Sequence, residues 1–307
     1  MDLVVIGSSN MDLIIRVPYI PKVGETVLGG ESASVFGGKG ANQAIAAKRA
    51  NGNLVFITKI GTDVFGVTMK KHFIKEGLAQ ESTLVDPKVP TGIAQILVSE
   101  KGENSIAVAP GANMNLCRAD IEKLKPVLKK ASFALVQLEI PLETVTYTIE
   151  TAFENDVKVI LNPAPAQHLT EDILQKTWLI TPNETEAEIL TGIKVTDLQN
   201  AEKAAKELLN KGVKQVIITL GALGCLHANK DHIKHYKAYH VNAVDTTAAG
   251  DVFNGTLAVA LTQHKNFSEA IPFANAAAAI SVTRNGAQSS IPSLDEIQKF
   301  LKINVAN

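Results

Sequence analysis

From position 54 onward the chain alternates short, almost continuous apolar runs with longer stretches whose apolar positions recur at helical spacing. The runs fall at 54–57, 133–138, 158–161, 178–181 and 215–220. Between them, 64–75, 142–153, 184–190 and 201–211 carry the helical period. Strands apolar on both faces belong in a sheet covered on both sides, and strands separated by helices pair in parallel. The pattern predicts an α/β fold with a mostly parallel sheet sandwiched by helices.

Two segments interrupt this rhythm. Positions 13–36 hold Pro18, Pro21, Gly24, Gly29 and Gly30 among short β-prone pieces, too punctuated for a helix and too polar for a buried strand. Positions 91–109 read as a hairpin, 93–98 and 105–109 around a turn at 100–104. Together they predict a small antiparallel β-sheet that serves as a lid or an oligomer contact, against the plainer reading of two surface hairpins. The expected division is a body of 1–12, 37–90 and 110–307, with a lid of 13–36 and 91–109.

A hydrophobic fraction of 46% supplies a core and excludes a disordered chain. Thirty Lys and Arg against thirty-one Asp and Glu give a net charge of −1, which leaves no global field for a nucleic-acid backbone. Cys117 and Cys225 lie far apart and form no CxxC, so neither a disulfide framework nor a cysteine zinc site is expected. The start carries Asp2 and breaks at Gly7-Ser8-Ser9-Asn10, unlike a secretion signal, and the small-residue run 274–282 is too short for a membrane span. The expectation is a cytoplasmic protein with neither a membrane nor a nucleic-acid partner.

In an open parallel sheet, ligands bind beyond the carboxyl ends of the strands, and several polar clusters fall there. The first follows the apolar Val4-Val5-Ile6 and ends in Asn10-Met11-Asp12, where alternate residues place an amide and a carboxylate on one side to grip hydroxyls. The second, Phe36-Gly37-Gly38-Lys39-Gly40-Ala41-Asn42-Gln43, opens a helix and suits an anionic or hydroxylated ligand. It is neither a Walker A loop nor a dinucleotide fingerprint, since Gly40 stands where Ser or Thr would be and Gln43 where the third glycine would be.

The third cluster, Val244-Asp245-Thr246-Thr247-Ala248-Ala249-Gly250-Asp251, leads small residues into a helix with an early carboxylate. Free amides from Ala248 through Asp251 at the positive end of that helix form an anion hole. A carboxylate beside it is what phosphoryl transfer to an alcohol requires: a base for the hydroxyl proton and dipoles for the transferring charge. The plainer reading is an N-cap aspartate. Pro182-Asn183-Glu184-Thr185-Glu186 opens another helix, where Asn183 and Glu186 could orient hydrated magnesium or simply complement the helix dipole. Thr219-Leu220-Gly221-Ala222-Leu223-Gly224 follows a strand and could let a purine or phosphate lie against backbone, or be a plain turn. His232, His235 and His240 lack a convincing carboxylate or cysteine partner for a metal, and Trp178 is expected in the core.

Read together, the glycine-lysine cluster and Asp245-Thr246-Thr247-Ala248-Ala249-Gly250-Asp251 resemble the two signatures of the ribokinase-like carbohydrate kinases, the phosphofructokinase-B superfamily. Gln137-Leu138-Glu139, Leu161-Asn162-Pro163-Ala164-Pro165-Ala166 and Gly286-Ala287-Gln288 extend the resemblance over essentially the whole chain. It implies transfer of the ATP γ-phosphoryl group to the 5-hydroxyl of D-ribose, with another pentose, a ketohexose or a nucleoside as the alternative acceptor. Asp251 is then the base, with Ala248, Ala249 and Gly250 supplying anion-hole backbone. Asn10, Met11, Asp12, Gly38, Lys39, Gly40, Ala41, Asn42, Glu139 and Asp251 hold the sugar. Asn183, Thr219, Leu220, Gly221, Ala222, Leu223, Gly224, Gly250, Asp251 and Asn275 line the ATP site. The resemblance also implies Mg2+ organised by Glu186, mostly through water, and activating K+ at Asp245, Thr247, Ser281, Arg284, Gly286 and Ser290, several through carbonyls. A homodimer joined through the lid completes it. Many superfamily members carry Gly-Ala-Gly-Asp where this chain has Ala248-Ala249-Gly250-Asp251, so a left-handed backbone at Ala248 would be strained.

Overall fold

The computed structural model describes residues 1–305. In chain order β1 (Leu3–Ile6), β2 (Asn10–Val17) and β3 (Ser32–Gly37) precede α1 (Lys39–Arg49), β4 (Leu54–Gly61), α2 (Val64–Lys75) and β5 (Thr83–Asp86). Next come β6 (Gly92–Ser99), β7 (Asn104–Ala109), α3 (Arg118–Leu128), β8 (Phe133–Val136), α4 (Leu142–Phe153) and β9 (Lys158–Leu161). They are followed by α5 (Glu171–Lys176), β10 (Leu179–Ile180), α6 (Glu184–Thr191), α7 (Leu198–Asn210), β11 (Gln215–Thr219), β12 (Cys225–Ala228) and β13 (Ile233–Tyr236). Three helices end the chain: α8 (Ala249–Thr262), α9 (Phe267–Ser281) and α10 (Leu294–Val305).

A nine-stranded sheet in the order β13-β12-β11-β10-β9-β8-β1-β4-β5 forms the body, parallel from β11 to β5 and antiparallel where β12 and β13 extend one edge. Its central strands are apolar on both faces because both are covered. Leu3 and Val5 of β1 point into one core with α1, α2, α8, α9 and α10, while Val4 and Ile6 point into the other with α3 through α7. Trp178 is partly buried and packs on the first of these cores, its ring stacked on Phe267.

A separate four-stranded sheet has the order β3-β2-β6-β7. Both outer pairings are antiparallel, and the central pairing of β2 with β6 is parallel, with Asn10 opposite Gly92 and Val17 opposite Ser99. The reason is topological. β2 and β6 leave the body and β3 and β7 return to it, so the two hairpins meet along their outgoing strands.

Small residues bring α1 and α8 together in the first core. A Cβ at Gly255 would lie 2.3 Å from the Gln43 carbonyl oxygen, so only glycine allows this backbone approach. Gly255 sits one turn beyond Asp251, and the contact sets the first turn of α8 against the first turn of α1.

Candidate active site

The first turn of α8 begins at Ala248, whose φ of 60° is left-handed, the conformation in which a side chain costs about 1 kcal/mol over glycine. The Ala249 amide donates to the Thr246 carbonyl at 3.2 Å, which removes one of the expected anion-hole donors. Among the described residues, the amides of Ala248, Gly250 and Asp251 have no protein acceptor. A Cβ built on Gly250 would meet nothing within 4 Å, so open space lies beside this turn at the positive end of a 14-residue helix.

Asp251 is 6% exposed and lies beside that space. Its two carboxylate oxygens are held from α1, Oδ2 by Asn42 Nδ2 and Oδ1 by Gln43 Nε2, each at 2.9 Å. Burial pushes its carboxyl above the usual range, and Lys39, Asn42 and Gln43 oppose that shift. Gln43 also donates to Asn162 Oδ1 at 2.9 Å and accepts from Gln137 Nε2 at 2.6 Å. Asn162 donates on to the Thr181 carbonyl, the Thr181 hydroxyl donates to Asn254 Oδ1, and Asn254 Nδ2 donates to the Gly250 carbonyl. A buried chain of polar groups thus runs from the carboxylate back to the backbone of the same helix turn.

Glycines bring the residues at the start of α1 and of β2 together. Gly38 caps α1 with a φ of 88°, and a Cβ there would lie 2.7 Å from the Asn10 amide nitrogen. A Cβ at Gly40 would lie 2.5 Å from Gly7 C and Ser8 N, so α1 rests directly on the end of β1. Asp12, two residues along β2 from Asn10, lies over Gly37, where a Cβ would meet its Oδ2 at 2.1 Å. Glu139 Oε2 accepts from Ser8 Oγ at 2.5 Å and from the Lys39 amide at 3.0 Å. Met11 and Ala41 are buried, so their side chains serve packing and only backbone could face a ligand.

One ammonium sits among four carboxylates. Burial works against the charge on Lys39, but Asp251, Glu139, Glu186 and Asp12 together hold its pKa above the usual lysine value. Burial, then Glu139 and Asp251, push Asp12 up to about 7. Glu186 is also raised by burial. A single ammonium ringed by carboxylates and side-chain amides suits a polyol, and the open amides beside it suit an anion.

Asn183 and Glu186 close on each other: Asn183 is the N-cap of α6, accepting from the Glu186 amide, while Glu186 accepts from Asn183 N and Nδ2. Thr219 ends β11 and its amide bonds the Pro182 carbonyl at 2.9 Å, which joins this turn to the 219–224 turn. Leu220 is buried, Gly221, Ala222 and Leu223 are exposed, and Gly224 at φ 96° lies against the Tyr236 carbonyl. Asn275 Nδ2 donates to the Lys237 carbonyl at 3.4 Å, turning it toward its own neighbours.

Asp245 gathers part of the expected cation set: Oδ1 accepts from Thr247 N and Oγ1, and Oδ2 from Gly286 N at 2.8 Å. Despite the opposing effect of burial, these bonds keep its carboxyl below the usual range. The side chains of the other members turn elsewhere. Ser281 and Ser290 donate to nearby carbonyls, and the Arg284 guanidinium pairs with Glu296 at 2.5 Å.

Ser8, Gln43 and Asn113 also bond within this site, although the sequence did not single them out as site residues. Asn113 bridges Ser9 and Asn10, and no local pattern marks it because its partners lie about a hundred positions away.

A profile of the pfkB family carbohydrate kinases matches residues 1–294. The ribokinase of Haemophilus influenzae is 47% identical over 300 residues, 98% of each chain. The deoxyribokinase of Salmonella typhi is 39% identical over 305 residues, 99% of this chain and 100% of that one. The structure of Arabidopsis thaliana ribokinase complexed with ribose and ATP superposes with a TM-score of 0.91 at 30% identity, covering 98% of both chains. Matched by the family profile over residues 1–294 and similar to these relatives over nearly its full length, the chain belongs to the pfkB family of carbohydrate kinases.

Proposed function

We propose that this carbohydrate kinase transfers the γ-phosphoryl group of ATP to the 5-hydroxyl of D-ribose, giving D-ribose 5-phosphate and ADP. The observation that carries the reading is the buried Asp251 carboxylate, gripped from the sugar loop by Asn42 and Gln43 and placed beside the unpaired amides of α8. Identity to ribokinases over the whole chain supports ribose as the acceptor.

Asn10, Asp12, Gly38, Lys39, Asn42 and Glu139 hold the sugar hydroxyls, with Met11, Gly40 and Ala41 contributing backbone. Asp251 takes the proton of the 5-hydroxyl as its O–H bond breaks; the oxygen forms a bond to the γ-phosphorus and the bond to the ADP oxygen breaks. Charge on the transferring group is met by the amides of Ala248, Gly250 and Asp251 and by Lys39. Asn183, Thr219 to Gly224 and Asn275 line the nucleotide side.

Glu186 is a buried oxygen donor facing Lys39 whose oxygens already accept from Asn183, so it fits a hydrated Mg2+ held through water. When bound, Mg2+ neutralises charge on the phosphate oxygens. Asp245 gathers Thr247 and the Gly286 backbone; its carboxylate, the Thr247 hydroxyl and carbonyls at Ser281, Arg284, Gly286 and Ser290 would hold K+, all of them oxygen donors of the kind a hard cation takes. We place the protein in the cytoplasm as a homodimer joined through the four-stranded sheet, which acts as a lid; exposed Leu28 and, on β7, Ile106 and Val108 offer the apolar surface for that contact.

Asp251→Asn tests the chemistry. Ribose-dependent turnover should fall by about 10²- to 10⁴-fold while ATP binding persists. Undiminished turnover would remove Asp251 from the role of base.

A further inference from the structure

Asn10 opens β2 where the chain passes from β1 to the four-stranded sheet, and its amide end faces Asn113, on the turn Gly111–Asn115 that follows β7. Both are buried, Asn113 at 1% and Asn10 at 4% exposure. Three hydrogen bonds tie Asn113 to Ser9 and Asn10: Ser9 N donates to Asn113 Oδ1 at 2.8 Å, Asn113 Nδ2 donates to the Ser9 carbonyl at 3.1 Å, and Asn113 Nδ2 donates to Asn10 Oδ1 at 2.8 Å.

An asparagine amide can turn over and exchange its donor and acceptor ends, so something must fix which end faces a ligand. Here the fixing starts from backbone. A peptide N–H can only donate and a peptide carbonyl can only accept. The Ser9 backbone therefore dictates which end of Asn113 is oxygen and which is nitrogen. With its nitrogen turned to Asn10, Asn113 requires an oxygen there, and Asn10 Nδ2 is left outward. Among the described residues, no protein group accepts from Asn10 Nδ2. The packing agrees, because a Cβ at Gly92 would lie 2.2 Å from Asn10 Oδ1 and 2.4 Å from Asn113 Nδ2. Glycine at 92 makes room for this bond.

We propose that Asn113 is a positioning residue that sets the hydrogen-bonding polarity of Asn10, so that the pocket presents a donor at Asn10 beside the carboxylate of Asp12. The proposal rests on the reading of Asn10 as a sugar ligand. It assigns the pocket a preference for a pair of hydroxyls of which one accepts from Asn10 while the other donates to Asp12. A sugar lacking the accepting hydroxyl leaves Asn10 Nδ2 without a partner, and it is disfavoured for as long as Asn113 holds the amide.

A double-mutant cycle on the full-length protein tests this, with KM for ribose, KM for ATP, kcat and Tm measured for wild type, Asn10→Ala, Asn113→Ala and the double variant. Asn113→Ala should raise ribose KM about 10-fold, the size of one hydrogen bond, with ATP KM unchanged. In the Asn10→Ala background the same substitution should leave ribose KM where it is, because the residue acts through Asn10. Equal effects in both backgrounds, or a loss confined to Tm, would overturn the proposal. An Asn10→Ala variant with wild-type ribose KM would instead overturn the reading of Asn10 on which it rests. Asn113→Asp, which keeps the acceptor for Ser9 N, is read by the same cycle if Asn113→Ala does not fold.

Discussion

Adding one methyl group at either of two glycines separates space that the protein fills from space that a ligand fills. In Gly250→Ala the new Cβ meets no protein atom within 4 Å. The residue lies in the first turn of α8, where alanine is the better helix former by up to about 1 kcal/mol, so Tm should hold or rise. The methyl nevertheless enters the space in front of the unpaired amides. If the transferring phosphoryl group occupies that space, the loss should match that of an oxyanion donor, about 10²- to 10³-fold in kcat. Gly40→Ala is the opposite case. Its Cβ falls 2.5 Å from Gly7 C and Ser8 N, about 1 Å inside ordinary contact, and both obstacles are backbone that cannot rotate away. Helix α1 must shift, at a cost of about 1–3 kcal/mol, and it carries Lys39, Asn42 and Gln43 with it. Tm and kcat should then fall together. Thermal melts and ADP release at saturating substrates read both variants. Wild-type kcat in Gly250→Ala, or wild-type Tm in Gly40→Ala, would refute the reasoning.

Three further outcomes are expected. Folding raises the Asp12 pKa from 3.8 to about 7, so the native state holds a proton there that the unfolded chain has lost, and stability falls as pH rises across that window. Asp12→Asn should remove that fall, its Tm advantage over wild type growing from pH 4 to pH 7.5; parallel Tm curves would count against the shift. Gln43→Leu removes a donor to ionised Asp251 and should move the acid limb of the kcat/KM profile upward, whereas an unmoved limb would show that the bond does not tune the base. Asp245→Asn should raise the K+ concentration for half-maximal activation about 10-fold or more, and identical K+ curves in variant and wild type would exclude Asp245 from the cation site.

The body was legible because its strands announce themselves. A run such as Val4-Val5-Ile6 is apolar at successive positions only when both faces of the sheet are covered, and it is. The small-sheet hairpins were legible from their punctuation, but the parallel pairing of β2 with β6 was not, since it depends on how two hairpins whose first strands pair about eighty positions apart leave the body together. In the site, Asp251, Lys39 and the glycines stood out through local chemistry and family resemblance. The Ala249 amide, spent on Thr246, was misjudged because only the geometry of the turn reveals it. Gln43 and Asn113 act through neutral amides on partners distant in sequence, and an amide carries no charge pattern or spacing by which a sequence declares it.

The most direct test is ADP release from Mg-ATP by the purified protein with D-ribose, 2-deoxyribose, fructose or adenosine as acceptor, each with and without K+. The account predicts turnover that requires ribose and rises with K+. Turnover with another acceptor but not ribose would contradict the proposed substrate, and turnover with none would contradict the assignment of Asp251 and the α8 amides to phosphoryl transfer.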